Sequence, residues 1–333
     1  MQTQSTRAGK EVWISQFGPA QEVAEIRENG CPAPGAQEVV VQMEFAPINP
    51  ADLNVLEGKY GTLPALPAVP GIEGVGRVAE IGADVNRALL GKRVLLPHGF
   101  GTWRQFGVLA SQDLVEVPEA VPVHQAAMLR INPATAWCML HEFTGLKPGD
   151  WVVQNASNSG VGRAVIQIAR ACGWRTVNVV RRGGLEEELR GLGADAVVEE
   201  GEQLSKRIGE ATGGAPLRLG FNAVGGECAL QLAKALAEGG TLVTYGAMSL
   251  QPLRIPNGLL IFKDLVFRGF WVSKWYKQAT PEQRSALFSR LFDWAASGAL
   301  HTPVEAVYPL EEIHAALGHA SRPMRSGKVL LQG

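Results

Sequence analysis

The chain has 333 residues, enough for about two domains at ~100–200 residues each. Hydrophobic residues make up 46% and charged residues 19%, a balance that buries a substantial core and excludes a disordered chain. The formal net charge of −1 leaves no electrostatic footprint for nucleic acid or an anionic membrane, and no apolar run approaches the ~18–20 residues that span a bilayer.

The opening stretch, "MQTQSTRAGKEVWISQFG", lacks the apolar core of a secretory signal, and a strand-like pattern begins by about Val12. Cys31, Cys138, Cys172 and Cys228 are too scattered for a disulfide framework or a C-x-x-C metal site. These features predict a soluble protein of a reducing compartment, the cytoplasm.

Residues 1–125 are rich in Pro, Gly and Val. Short apolar or alternating runs ("EVVVQMEFAPIN", "GVGRVAEIG", "GKRVLLPHG", "TWRQFGVLA") recur between Gly, Pro and Asn, the pattern of short strands and turns. Two features stand out in this β-rich segment. In "INPADLN", Asn49 and Asp52 either bond across the loop to floor a cleft or form an Asx-turn before a short helix. In "EGKYG", Tyr60 lies between Lys59 and Gly61, where taken alone it reads as a half-buried packing residue.

Across residues 126–272 the rhythm changes to strand, helix, strand, helix. Strands are predicted near Trp151–Asn155, Arg175–Val180, Asp195–Val198, Arg218–Ala223, Thr241–Tyr245 and Leu265–Phe270. Val161, Ala164, Val165, Ile168, Ala169 and Cys172 follow the i, i+3, i+4 spacing of an amphipathic helix. Continuous apolar strands alternating with helices predict an α/β fold with a doubly wound parallel sheet, a Rossmann-type dinucleotide domain. Residues 273–333 add a helix, "TPEQRSALFSRLFDWAASGAL", and a terminal strand, "GKVLLQG".

The turn "NASNSGVG" lies between the first of these strands and its helix. Relative to G-x-G-x-x-G, with Gly162 as the third glycine, Ser157 and Ser159 stand at the other two positions. Each brings a Cβ that disfavours positive φ, and a hydroxyl able to bond a phosphate. The helix N-terminus favours an anion. Taken alone, the turn reads equally as a nucleotide site or a structural corner. About twenty residues on, where an acidic side chain would hold the 2′-OH of NAD, the sequence has Arg181 and Arg182. Two guanidinium groups there suit a 2′-phosphate and predict NADPH; their alternative is a solvated loop.

The order and wording of these segments resemble the medium-chain dehydrogenase/reductase superfamily, and within it the mitochondrial-type trans-2-enoyl thioester reductases. The resemblance runs from about Val12 to the end and is carried by "INPADLNVLEGKYG", "LPAVPGIEGVG", "INPATAW", "VVQNASNSGVG", "NVVRR", "NAVGG", "GGTLVTYGAM", "LIFKDLVFRGFW" and "SGKVLL". It implies a GroES-like catalytic domain over 1–125, a Rossmann NADPH-binding domain over 126–272, and a return to the catalytic domain over 273–333. The implied activity is NADPH-dependent reduction of the C2=C3 bond of a 2-enoyl thioester carried by CoA or acyl carrier protein. Tyr60 matches the catalytic tyrosine. Asn132, Asn158, Ser159, Gly160, Val161, Arg181, Arg182, Tyr245, Gly246, Ala247, Met248, Phe270, Trp271, Val272 and Lys328 match cofactor contacts. Asn49, Asp52 and Trp275 are candidates for the substrate cleft.

Zinc dehydrogenases of the same superfamily place a Cys before the Asp of the first catalytic loop and a His in a G-H-E triplet. Here Pro50 and Ala51 precede Asp52, and Ile72 stands where the His would be, so no metal is expected. Two further readings keep the scaffold: an NADPH-dependent quinone or enone reductase, and a non-catalytic NADPH-binding protein. The apolar "DLVFRGFW" would be an exposed edge if unpaired, which with the superfamily's habit predicts a homodimer.

Overall fold

The computed structural model describes residues 5–333. The chain divides into two compact units. One runs to Arg130 and takes in Phe292–Ala296 and His301–Gly333; the other comprises Ile131–Leu291 and Ser297–Leu300.

The first unit opens with β1 (Ser5–Trp13), a short helix α1 (Ala20–Val23) and β2 (Glu25–Pro32), which pairs antiparallel with β1. There follow β3 (Glu38–Pro47), α2 (Pro50–Leu56), β4 (Val75–Ile81), β5 (Arg93–Leu95), β6 (Phe106–Ala110), β7 (Val115–Glu116) and α3 (Val123–Ala126). The valine run of β3 explains its central place. Val39, Val41 and Met43 pack with Val78, Val94 and Leu109 in one core, while Ala46 joins a second with Val12, Ile14, Leu56 and Trp103. Each fully buried Val, Leu or Ile contributes roughly 1.5–3 kcal/mol.

The second unit alternates as its periodicity requires. It runs α4 (Asn132–Glu142), β8 (Trp151–Gln154), α5 (Gly160–Ala171), β9 (Arg175–Val180), α6 (Glu186–Leu192), β10 (Ala196–Glu199), α7 (Leu204–Ala211), β11 (Leu217–Asn222), α8 (Gly226–Ala235), β12 (Thr241–Thr244), α9 (Asn257–Lys263), β13 (Val266–Gly269), α10 (Val272–Gln278) and α11 (Pro281–Ser297), except for Phe292–Ala296 of α11, which count with the first unit. The six predicted strands all form, each within one residue of its expected ends. They make one parallel sheet in the order β10-β9-β8-β11-β12-β13. The chain winds outward from β8 through β9 to β10, then crosses back to lay β11 on the other side of β8. That reversal is a topological switch point, where open α/β sheets bind ligands beyond the carboxyl ends of their strands.

The C-terminal segment completes the first unit with β14 (Val304–Pro309), α12 (Ile313–Ala320) and β15 (Lys328–Gln332). Ile313, Ala316, Leu317 and Ala320 form the buried stripe of α12. β15 is parallel to β14 and antiparallel to β3, so the sheet order is β14-β15-β3-β4-β5-β7, with β6 also on β3.

Candidate functional site

The turn after β8 is built by its small residues. Ala156 takes the left-handed conformation, with φ of +50°. Ser159 stays extended (φ −72°), caps α5 and accepts from the Gly162 N–H at 3.1 Å. A Cβ on Gly162 would stand 2.6 Å from the Ser157 carbonyl oxygen and 2.7 Å from that of Ala156. The helix start therefore seats directly on the turn. The two serines differ in kind. Ser157 is fully buried, and its hydroxyl donates to the Val179 carbonyl at 3.0 Å, so it ties the turn to β9 and does not face a ligand. The expectation of a phosphate-facing hydroxyl at Ser157 is corrected accordingly: its orientation is set by the left-handed residue before it.

Buried amides behind the turn escaped sequence reasoning. Asn155 donates to Asn222 Oδ1 at 2.8 Å and accepts from the Ala223 N–H at 2.7 Å. Asn222 donates to Thr244 Oγ1 at 3.1 Å and accepts from the Val224 and Gly225 N–H groups. Together they lock the carboxyl ends of β8, β11 and β12, adjacent strands across the switch point. One strand position earlier, Gln154 donates to the Gly162 carbonyl at 2.9 Å and to Asn178 Oδ1 at 2.8 Å. Burying polar groups in a parallel sheet requires such satisfaction. The available signal was polar residues interrupting otherwise apolar strands.

The other expected cofactor residues of this unit gather along the same edge of the sheet. Asn158, Ser159, Gly160 and Val161 form the turn and the start of α5. Arg181 and Arg182 follow β9 and are exposed. Tyr245, Gly246, Ala247 and Met248 follow β12, the Tyr245 N–H donating to the Asn222 carbonyl at 3.0 Å and the Met248 N–H to Ala223 at 2.9 Å. Burial pushes the Tyr245 phenol above its ordinary range, with a smaller opposing influence from Ser159. Phe270, Trp271 and Val272 follow β13, and the Phe270 N–H donates to the Thr244 carbonyl at 2.9 Å. Asn132 opens α4. Trp275, on α10, donates its indole N–H to Glu142 at the end of α4 (3.0 Å).

These residues fit a phosphorylated dinucleotide. The helix N-terminus favours a pyrophosphate, the Gly162 position has no room for a Cβ, and a pair of guanidinium groups stands where an acidic residue would select a 2′-OH.

In the first unit, Asn49, Asp52 and Lys328 come together, joined by Glu73, which sequence reasoning missed. The Asp52 carboxylate accepts from the Asn49 N–H (2.8 Å) and the Ile72 N–H (3.0 Å), so it holds the start of α2 against the segment before β4. The Asn49 side chain donates to Glu73 at 2.8 Å and accepts from the Lys328 ammonium. All four are buried. Burial pushes the Asp52 carboxyl up to about 7, against the two backbone donors. Burial pulls Lys328 down to about 8, with Glu73 and Asp52 opposing. In "NPAD", Asp52 makes the local helix-start contact, while Asn49 links two distant charges.

Tyr60 lies on a bend after α2 and is half-buried. The bend is set by Gly58, whose φ of +70° suits glycine and whose face lies against Phe17, and by the Lys59 N–H donating to Asn54 at 2.8 Å. Among the described residues no group of three or more His, Cys, Asp and Glu side chains is placed to hold a metal ion, and no helix is long and apolar enough to cross a membrane.

Comparisons with known proteins extend these observations. Residues 35–119 match the family model for an alcohol dehydrogenase GroES-like domain, and residues 160–290 that for a zinc-binding dehydrogenase. The chain is 43% identical over 320 residues to the Homo sapiens protein named mitochondrial enoyl-(acyl-carrier-protein) reductase, a match covering 94% of this chain and 86% of that one. Its fold is similar to that of a Bacillus thuringiensis protein whose name proposes an NADPH:quinone reductase (TM-score 0.92, 29% identity, covering 98% and 100% of the two chains). It is also similar to the mitochondrial 2-enoyl thioester reductase Etr1p of Candida tropicalis. Etr1p has been solved with NADP and crotonyl-CoA (TM-score 0.89, 26% identity, covering 98% and 100%) and as an Etr1p/Etr2p heterodimer. The curated relatives are mitochondrial by name, which overturns the cytoplasmic expectation. Four free cysteines suit any reducing compartment and hold no information that separates one such compartment from another.

Proposed function

This chain belongs to the enoyl thioester reductase family of the medium-chain dehydrogenase/reductase superfamily, and from that premise we propose that it reduces the C2=C3 double bond of 2-enoyl thioesters with NADPH. The observation that carries the reading is the 43% identity to an enoyl reductase across 94% of the chain. A dinucleotide turn at the switch point, with two arginines at the end of the next strand, agrees with it.

NADPH, when bound, would supply the hydride that C3 of the substrate accepts. Asn158, Ser159, Gly160 and Val161 hold the pyrophosphate with backbone N–H groups and the start of α5. Arg181 and Arg182 hold the 2′-phosphate. Tyr245, Gly246, Ala247 and Met248, with Phe270, Trp271 and Val272, wall the dinucleotide, and Asn132 and Lys328 complete its contacts. Tyr60 donates from its phenol to the negative charge that builds on the thioester oxygen, or passes a proton to C2 directly or through water. Asn49 and Asp52 fix the loop that carries Tyr60, and Trp275 shapes the acyl path. The thioester carbonyl that this chemistry needs is common to CoA and acyl carrier protein substrates.

The Bacillus thuringiensis likeness favours a second reading, reduction of a quinone or enone. A steady-state panel of short- to long-chain enoyl-CoAs, a quinone and an enone, each with NADPH and NADH, separates the two. Enoyl-CoAs with NADPH are expected to give the highest kcat/KM, and a quinone that exceeds them overturns the assignment. In the same panel, Arg181→Ala is expected to raise the KM for NADPH about tenfold or more while NADH changes little, the loss of a charge-assisted contact. Equal weakening of both, or a wild-type preference for NADH, removes the 2′-phosphate assignment.

The proposal includes a homodimer formed along β13. β13 is the last strand of its sheet, Val266 on it is exposed, and the preceding α9 shows Ile261 69% and Phe262 82% exposed. An apolar open edge is a liability that pairing removes. Sedimentation velocity is expected to give a dimer, shifted to monomer by Phe262→Glu with Val266→Lys. A monomeric wild type overturns it, and a requirement for a second kind of chain would match the Candida tropicalis heterodimer instead.

A further inference from the structure

Arg163 is an unlikely residue where it stands. It lies in the first turn of α5, where the helix dipole disfavours a cation, and it is only 7% exposed. A buried cation persists where its partners hold it. Here the partners lie in two different segments. Nε donates to the Asn158 carbonyl at 3.0 Å, and Nη2 donates to Glu188 Oε1 at 2.5 Å.

Each contact fixes something next to the proposed cofactor residues. The peptide between Asn158 and Ser159 is held at both ends, its carbonyl by Arg163 and its N–H by the Ala156 carbonyl at 2.9 Å. That peptide orients the N–H groups that follow it. Glu188 lies in the first turn of α6, the helix immediately after the loop that carries Arg181 and Arg182. α6 has no side-chain cap at its start, Leu185. Leu185 and Leu189 share a core cluster with Ile166 of α5, and the charged contact adds a polar tie at this end of α6.

We propose that Arg163 is a positioning residue that joins the pyrophosphate turn to the arginine loop, and that through Glu188 it sets the preference for NADPH over NADH. This rests on the assignment of Arg181 and Arg182 to the 2′-phosphate. A fork geometry suits the task, because one planar guanidinium reaches two acceptors in fixed directions and a lysine reaches one. Neutralising Glu188 leaves the Asn158 contact in place and loosens the α6 side alone. Removing the fork disturbs both sides.

The test is equilibrium binding of NADPH and NADH, by titration calorimetry, to wild type, Glu188→Gln, Arg163→Lys and Arg181→Ala. Glu188→Gln keeps an acceptor but loses the charge, and is expected to weaken NADPH about fivefold and NADH less than about twofold, the difference between a charge-assisted and a neutral hydrogen bond. Arg163→Lys is expected to weaken both dinucleotides, because the pyrophosphate is common to them. A general structural role would weaken both equally in Glu188→Gln, and that result overturns the proposal. So does tighter NADPH binding, since removing a carboxylate near an anion favours the anion when charge alone matters. Arg181→Ala separates this inference from the reading beneath it. If Arg181→Ala leaves the NADPH-to-NADH ratio unchanged, the 2′-phosphate assignment falls and the coupling with it. If that ratio drops in Arg181→Ala but not in Glu188→Gln, only the coupling falls.

Discussion

Tyr60→Phe is expected to lose about 10²-fold in kcat with crotonyl-CoA, while its melting temperature and NADPH affinity stay near wild type. The substitution keeps the ring that half-fills the bend and removes only the hydroxyl. Hydride arrival at C3 drives charge onto the thioester oxygen, and a donor held ready for that charge acts mainly in the transition state. Its loss therefore falls on kcat more than on KM. The bend that presents Tyr60 has supports outside its own ring. It is held by Gly58 against Phe17, by the Lys59 N–H on Asn54, and by the Gly18 N–H donating to Leu56 at 2.9 Å. Quinone turnover in the same variant should hold, because that reaction builds no thioester enolate. A variant with full enoyl-CoA activity would remove Tyr60 from the mechanism.

The second unit was legible because its information is local. Each strand is a continuous apolar run with turn residues at both ends, and the spacing of Val161, Ala164, Val165 and Ile168 fixes the buried face of α5. The first unit was legible only as short strands. The register of its sheet depends on β15 returning to pair with β3, Leu330 opposite Pro47, and no window of sequence contains both. The buried charges divide in the same way. Asn49 and Asp52 announced themselves by a turn pattern three residues long. Glu73 did not, and Lys328 was marked only by resemblance and not as a partner of Asn49, because both meet Asn49 only in the folded chain, Lys328 from 279 residues away. The serines of the turn were half legible: their presence showed that φ must stay negative at both positions, but which way each hydroxyl points is decided by Ala156 and by the carbonyls in reach. Compartment was not legible at all, since a folded domain with reduced thiols has the same interior wherever it works.

Gly162→Ala is expected to damage the nucleotide turn of the second unit severely. Its Cβ would press against two backbone oxygens, at 2.6 and 2.7 Å, and neither belongs to a side chain that can swing away. Gly162 is held on its other sides as well, its N–H by Ser159 Oγ at 3.1 Å and its carbonyl by Gln154 at 2.9 Å. Relief therefore requires α5 to move off the turn, at about 1–3 kcal/mol of stability for an overpacked site. That movement carries the N–H groups of Gly160 and Val161 with it, so NADPH and NADH are both expected to weaken by about tenfold or more. Ser159→Ala gives the contrasting result. It removes a cap worth about 1 kcal/mol and leaves the contact between helix and turn in place, so its cofactor loss should be the smaller. Thermal melts and dinucleotide titrations on the two variants decide the matter. The expected pattern also separates two parts of the site: Gly162→Ala weakens both dinucleotides because they share a pyrophosphate, whereas Arg181→Ala weakens the phosphorylated one. If Gly162→Ala bound NADPH like wild type, the pyrophosphate would have to sit elsewhere, and the serine-containing turn would be only a tight corner of the sheet.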